Sequence, residues 1–287
     1  TPMSVRLAIV ADIHHGAPSA TKRGDAALAL MDDFARFVTS EGATHVLDLG
    51  DRISDVDAET DRRLEAEVAE AFRAVQAPVW HLNGNHDRDH LSVADNEEIL
   101  GQSLGHAVHD LGDWRIALWR ADSKICRSDG HHCFMLREAD LLWLSRTVQA
   151  ADRPLLVVSH VPVSGHSQIG NYYFQNNPAS SVYPMAERVR AALAQARVPV
   201  VCLAGHVHWN TVTTVDGIPH LTQQSLTESF TTEGAPAGAM GILDLGETLR
   251  WEVAGADPFS FATRPRVARW TPPMPDVRTH PEFGRRG

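Results

Sequence analysis

Cysteine is scarce in this chain. Its 287 residues hold three, Cys126, Cys133 and Cys202. So few, and an odd number, cannot build a disulfide framework, and a reducing compartment is the natural setting. Long apolar runs are missing as well. The first, residues 5–11, breaks at Asp12, and no basic segment precedes it. It reads as neither a signal peptide nor a membrane span, so a cytoplasmic protein with no membrane partner is expected. Positive charge is in deficit, with 26 Lys+Arg against 36 Asp+Glu and a net charge of −10. Such a surface repels polyanions, which argues against a protein that coats DNA, RNA or acidic membrane. Repeats and interdomain linkers are absent from the pattern. Hydrophobic residues at 43% and charged residues at 22% are ordinary globular usage, and a chain this long can bury a large core. Histidine is the residue in excess, 16 in all, and imidazole serves both metal sites and acid–base sites.

The hydrophobic pattern orders the first half as strand, helix, strand, helix, strand. Residues 5–11 form a short aliphatic run suited to a strand buried on both faces. Ala27, Leu30, Met31, Phe34, Phe37 and Val38 recur at helical spacing, and Gly42 stops that helix. Strands are predicted over 45–49 and 78–82, with a helix marked by Leu64, Val68, Phe72 and Val75 between them. This is the βαβαβ pattern of a parallel sheet. The second half predicts a hairpin over 106–110 and 114–119, a helix over 136–148 and a strand over 155–159. A long Gly/Asn/Ser/Pro-rich loop follows over 161–183, then a helix over 185–196, a strand over 200–203, and short strands near 211–215, 218–221, 239–243 and 249–253. The expected organisation is one domain over 1–254 and an irregular Pro-rich tail over 255–287, loose from His280 onward.

Five short motifs fall at predicted strand ends: Asp12-Ile13-His14, Gly50-Asp51, Gly84-Asn85-His86-Asp87, Ser159-His160 and Gly205-His206-Val207-His208. The crevice outside strand carboxyl ends is where α/β folds bind ligands. Taken singly, each motif has a bland reading as a turn, a helix cap or a satisfied core histidine. Together they deliver imidazole nitrogen and carboxylate or amide oxygen with no thiolate, a set suited to Mn, Fe or Zn in a catalytic rather than a structural site. Seven donors are too many for one open ion. They suit two, sharing a bridging carboxylate.

In this order the motifs resemble the calcineurin-like metallophosphoesterase superfamily, across residues 12–208. Chain length and Gly217-Ile218-Pro219 look most like the bacterial cyclic-nucleotide and glycerophosphodiester phosphodiesterases. The resemblance implies an α/β fold of the four-layer type, mixed β-sheets sandwiched by helices, with a dinuclear site at strand C-terminal ends. It implies a first metal held by Asp12, His14, Asp51 and His208. The second would be held by Asp51, Asn85, His160 and His206, with Asp51 bridging. His86 would act as general acid, while a hydroxide bridging the metals attacks phosphorus in line. The family often carries an Asp three residues after the bridging one to orient that histidine. Here the position is Ser54, with Asp55 one later, so Asp55, Asp87 or another group takes the role.

The activity expected is hydrolysis of small phosphodiesters, cyclic nucleotides among them. A broad-specificity phosphomonoesterase is the alternative, and a non-catalytic scaffold on the same fold the distant one. The partner expected is a small phosphate ester, no nucleic acid polymer, with a homo-oligomer left open. His15, Arg88, His90, Tyr172 and Tyr173 are candidate substrate contacts, each with a plain surface or packing alternative. Cys126 and Cys133, with His131 and His132 between them, match no standard zinc module.

Overall fold

The computed structural model describes residues 5–128, 132–165, 168–269 and 276. A first six-stranded sheet has the order β14-β13-β12-β1-β2-β3. Its strands are β1 (Val5–Val10), β2 (His45–Asp48), β3 (Val79–His81), β12 (Met240–Leu245), β13 (Leu249–Ala254) and β14 (Phe259–Thr263). β1, β2 and β3 run parallel, and β12, β13 and β14 add antiparallel. The second sheet has the order β10-β11-β9-β8-β5-β4. It is built from β4 (Ala107–Leu111), β5 (Trp114–Leu118), β8 (Leu155–Val158), β9 (Val200–Ala204), β10 (Thr211–Val215) and β11 (Ile218–Thr222). β5, β8, β9 and β11 are parallel, with β4 and β10 antiparallel at the edges. A small ribbon, β6 (Ile125–Cys126) and β7 (Cys133–Phe134), pairs Cys126 with Cys133. Both cysteines are free thiols, and His131 lies outside the described residues.

The helices are α1 (Ala27–Glu41), α2 (Ala58–Phe72), α3 (Val93–Leu100), α4 (Glu138–Gln149) and α5 (Ala186–Leu193). α1 buries Ala27, Met31, Phe34 and Val38 on one stripe and ends where Gly42 turns left-handed, at φ 62°. α2 is capped by Asp57, whose carboxylate accepts the Thr60 N–H, and buries Leu64, Val68 and Phe72.

The core has three slabs, which make four layers. Alternate residues of β1 separate them: Ala8 and Val10 face α1 and α2, while Leu7 and Ile9 face the second sheet. In the second sheet Ile116, Leu118, Leu156 and Val158 face inward, and Ala117, Leu155 and Val157 face α4 and α5. Both faces of the central strands are covered, which is why they read as unbroken aliphatic runs. This is the helix–sheet–sheet–helix architecture expected from the sequence.

Two expectations change. The chain is not irregular throughout from Ala254 onward, because Phe259–Thr263 adds β14 to the first sheet with Phe259 opposite Val253 and Phe261 opposite Trp251. Its neighbour Pro258 is harmless at a sheet edge, where no ladder partner is needed. The later prolines, Pro272, Pro273, Pro275 and Pro281, and His280 lie outside the described residues. α3 was not foreseen either. Its run of Asp, Asn and Glu carries little hydrophobic pattern, and it is started by a reciprocal capping box between Ser92 and Asp95.

Beneath the ends of β2 and β3 lies a buried cation. The Arg52 guanidinium pairs with Asp48 at 2.9 Å, with Asp87 at 3.4 Å and with Glu65, and donates to Asn83 Oδ1 at 2.7 Å. One positive charge faces three carboxylates, all buried. Burial, with Asp87 and Asp48 adding to it, outweighs the pull of Arg52 and pushes the Glu65 carboxyl up to about 8. The native state therefore holds a proton that the unfolded chain releases at ordinary carboxylate pH. Between that range and about 8 the native state binds more protons, so stability falls as pH rises through the window. Glu65→Gln should flatten this slope, leaving the variant progressively more stable than the parent between pH 5 and 8. Melting temperatures measured across that range check it, and parallel profiles for the two proteins would place the proton elsewhere.

Candidate metal centre

The five sequence motifs meet at one end of the two-sheet sandwich. β1 ends at Asp12-Ile13-His14, β2 at Gly50-Asp51 and β3 at Gly84-Asn85-His86, while β8 leads to His160 and β9 to Gly205-His206-Val207-His208. The chain must turn sharply there. Asp12, His14, Asp51, His206 and His208 all take positive φ, between 48° and 70°. Non-glycine residues reach that region at a cost, and such clusters mark places where surrounding structure imposes the geometry.

The imposing contacts are on the page. Asp12 enters through Asp12 N–H to Gly50 O, and its carboxylate accepts the His206 N–H at 2.9 Å. Asp87 accepts three backbone N–H groups, from Asp51, Arg52 and Gly84, at 2.8–2.9 Å, and so ties the β2 and β3 turns together. The glycines are steric requirements: a Cβ on Gly84 would lie 2.1 Å from Asp51 Oδ1, and one on Gly205 would lie 2.7 Å from Asp12 Oδ2.

Two groups of donors result. Asp12, His14, Asp51 and His208 each bring one ligand atom within 4.8 Å of the others, as do Asp51, His160 and His206. Asp51 belongs to both, with Oδ2 3.7 Å from His14 Nε2 and 3.5 Å from His160 Nε2. Asn85 Oδ1 joins the second group at 3.3 Å from His160 Nε2.

The far ring nitrogens tell which near ones are free to bind. His160 Nδ1 donates to Leu49 O at 2.7 Å, His206 Nε2 donates to Ser180 O at 2.7 Å, and His208 Nδ1 faces Glu228 at 3.3 Å. In its neutral form each ring then has its lone pair on the other nitrogen, directed at the cluster. His206 Nδ1 is buried with no hydrogen-bond partner among the described residues. His14 Nε2 and His208 Nε2 stand 3.0 Å apart. The donor set thus fits two divalent cations, on its chemistry and on that orphaned nitrogen.

Electrostatics agree. Burial would raise the Asp51 carboxyl, yet His160 and His86 hold it well below the usual carboxylate range. Burial would lower His160, but Asp51 wins and pushes it up to about 9, and against the same burial Asp12 pushes His208 up to about 9. Burial dominates at His14, which lies well below the ordinary value, and at His206, pulled down to about 3. Anionic oxygens crowd together here and hold protons on His160 and His208, and metal cations could take the place of those protons.

His86 stands beside the cluster without joining either group. Its ring packs edge-on to His14 at 4.8 Å, its N–H bonds Asp51 Oδ1 at 2.8 Å, and its Nδ1 is held by Asp55. The partner left open by the sequence is Asp55. Burial would raise that carboxyl, but the bond to His86 holds it down at about 2.

A cavity of about 230 Å³ opens over the cluster, lined among others by Asn85, His86, His206, His208, Tyr172 and Tyr173. His15, Arg88 and His90 do not line it. His15 bonds Glu67 at 2.6 Å, His90 bonds Asp61 at 2.8 Å, and Arg88 bonds Leu91 O and faces Asp122. Their nearness in sequence to ligand motifs is overridden by acidic partners on α2 and nearby turns. Sequence reasoning missed Lys22 and Glu228, which flank His14 and His208. Neither sits in a strand-end motif, so no spacing could have flagged them.

Gly84→Ala should displace Asp51 and with it both groups. The expected outcome is less than one metal equivalent per chain by elemental analysis after reconstitution, and a melting temperature lower by several degrees, as overpacking of about 1–3 kcal/mol implies. Two tightly held equivalents in this variant would contradict the crowding at Asp51.

The chain's family can now be read against known proteins. Residues 5–210 match the model of the calcineurin-like phosphoesterases. Among solved structures, a dimetal phosphatase from Danio rerio superposes with a TM-score of 0.72 at 16% identity, covering 91% of this chain and 99% of that one. GAP50, the anchor in the inner membrane complex of Plasmodium, superposes at 0.56 with 14% identity, covering 93% of this chain and 90% of that one. At such identities the likeness is one of fold. A search of curated proteins gives no match. With the family model spanning every motif of the cluster, the chain belongs to the calcineurin-like phosphoesterase family.

Proposed function

We propose that the chain is a metal-dependent hydrolase of small phosphodiesters, cyclic nucleotides among them. The observation that carries this reading is the convergence of four imidazoles on Asp51 with His86 held beside them by Asp55. Asp12, His14, Asp51 and His208 would hold one cation, and Asp51, Asn85, His160 and His206 the other. Mn, Fe and Zn all suit these donors. When bound, the pair supplies Lewis acidity toward phosphoryl oxygens and a water acidic enough to act as nucleophile near neutral pH.

The chain's own residues do the rest. His86 donates Nδ1–H to Asp55, which turns Nε2 toward the crevice, where it can pass a proton to the departing alkoxide oxygen. Asp55 fixes the orientation of the ring that serves as this acid. The bond from His86 N–H to Asp51 Oδ1 fixes the acid's distance from the shared carboxylate. A 230 Å³ cavity suits a small ester, and Tyr172 and Tyr173 in its wall offer apolar surface to the organic part. The overall charge of −10 disfavours polymeric nucleic acid, while the metal-loaded crevice attracts a single phosphate.

A phosphomonoesterase is the second reading, supported by the dimetal phosphatase among the similar folds. Protein reconstituted separately with Mn, Fe and Zn should be assayed on a bis-aryl phosphate, an aryl monophosphate and cyclic AMP. Faster turnover of the diesters supports the proposal. Preference for the monophosphate transfers it to the second reading, and no metal-dependent turnover of any sinks both.

His86→Ala should lower kcat by roughly 100- to 10,000-fold, the usual span for a lost general acid, while two metals per chain remain. Asp55→Asn should fall between that variant and the parent. Equal turnover of His86→Ala and parent on an alkyl ester with a poor leaving group would rule out the acid role.

A further inference from the structure

The loop after His14 doubles back over the cluster and carries one lysine to it. Residues 21–23 pair antiparallel with 227–229: Arg23 N–H bonds Thr227 O at 2.8 Å, Ser229 N–H bonds Thr21 O at 3.0 Å, and Lys22 faces Glu228. Gly24 seals the turn, since a Cβ there would lie 2.4 Å from His14 O. Directly opposed residues of an antiparallel pair project to one side. Glu228 and Lys22 therefore reach the same group of ligands, Glu228 to His208 Nδ1 and Lys22 Nζ to His14 Nδ1 at 3.3 Å.

The Lys22 ammonium lies among Asp51, Asp12, Asp55 and Glu228 yet has no carboxylate within 4.0 Å among the described residues. Glu228 is already taken by His208, by the Tyr172 hydroxyl at 2.8 Å and by the Phe230 N–H at 2.7 Å. Among the described residues the Lys22 ammonium bonds His14 Nδ1, which can accept only in the tautomer that puts hydrogen on Nε2. Coordination through Nε2 puts the hydrogen on Nδ1 instead, and the ammonium then faces a donor. Charge points the same way. Asp55 is held by His86, and two divalent cations already exceed the remaining carboxylates Asp12, Asp51 and Glu228, so the Lys22 ammonium is left for an anion, in the wall of the cavity that also holds Asn85 and His86.

We propose that Lys22 is a substrate-binding residue of the metal-loaded site, its ammonium pairing with a non-bridging oxygen of the phosphoryl group that the crevice holds. The inference rests on the metal-centre reading above. In this role Lys22 is a cation on a flexible stem that adds charge-assisted hydrogen bonding to a group the metals orient.

The test uses the full chain, reconstituted with Mn, with inorganic phosphate as the probe in titration calorimetry. Elemental analysis gives the metal content of the same samples. Lys22→Met should keep two metals per chain and weaken phosphate binding by roughly 10- to 100-fold, the span of one charge-assisted hydrogen bond. Lys22→Arg should recover most of that loss, which a merely structural role for the side chain would not produce. KM for the ester should rise in Lys22→Met more than kcat falls. Two metals per chain with equal phosphate affinity in parent and Lys22→Met would overturn the inference and leave the metal centre standing. Fewer than two metals in the parent itself would overturn the metal-centre reading, and this inference with it. Should Lys22→Met fold poorly, Lys22→Gln answers the same question.

Discussion

Nitrogen and oxygen donors from separate strand ends converge on one point of this molecule. His14 Nε2, His160 Nε2, His206 Nδ1 and His208 Nε2 turn toward the carboxylates of Asp12 and Asp51, each group spanning no more than 4.8 Å. The distal nitrogens of His160, His206 and His208 are occupied by Leu49 O, Ser180 O and Glu228, so these rings cannot turn away without breaking a hydrogen bond. Such an arrangement repels itself unless protons or metal cations lie within it. The fold's investment in the region follows from that requirement.

That investment takes the form of restraint. Five of the ligand residues hold left-handed backbone conformations, which a free chain would leave at once. Asp87 anchors the turns after β2 and β3 with three backbone hydrogen bonds, and Arg52, buried below, draws Asp48, Glu65 and Asp87 into one network. Rigid sheets on both sides, filled by Leu7, Ile9, Leu118 and Val158, allow local strain at their ends to persist. A stable core and a strained rim are two aspects of one design.

Charge is partitioned with equal care. The chain carries a net charge of −10, much of it on buried carboxylates, and the crevice gathers those that two cations would neutralise, together with a lysine that they would not. The contrast favours a small anion reaching the cavity over a polyanion lying on the surface. Tyr172 links the two, bonding Glu228 through its hydroxyl while its ring stacks on Phe230 at 4.4 Å, so the cavity's aromatic wall is tied to the residue that orients His208.

The strands and most helices were legible because their periodicity records burial: both faces for residues 5–10, a stripe for Met31, Phe34 and Val38. The motifs Asp12-x-His14, Gly84-Asn85-His86 and Gly205-His206-x-His208 were legible because metal ligation needs particular donors at strand ends, with glycine where carboxylates crowd the backbone. α3 and β14 were not, since a capping box and an edge pairing leave little hydrophobic signature. The sequence by itself determined the order of strands and helices, the donor set and the family it resembles, which depend on local pattern and side-chain chemistry, and the four layers were implied by that resemblance. Only the tertiary structure decided that Asp55 rather than Asp87 holds His86, that His15, Arg88 and His90 turn to other acids, and that Lys22 and Glu228 arrive as a cross-strand pair. Those choices depend on distances between segments far apart in the chain, which no spacing along it encodes.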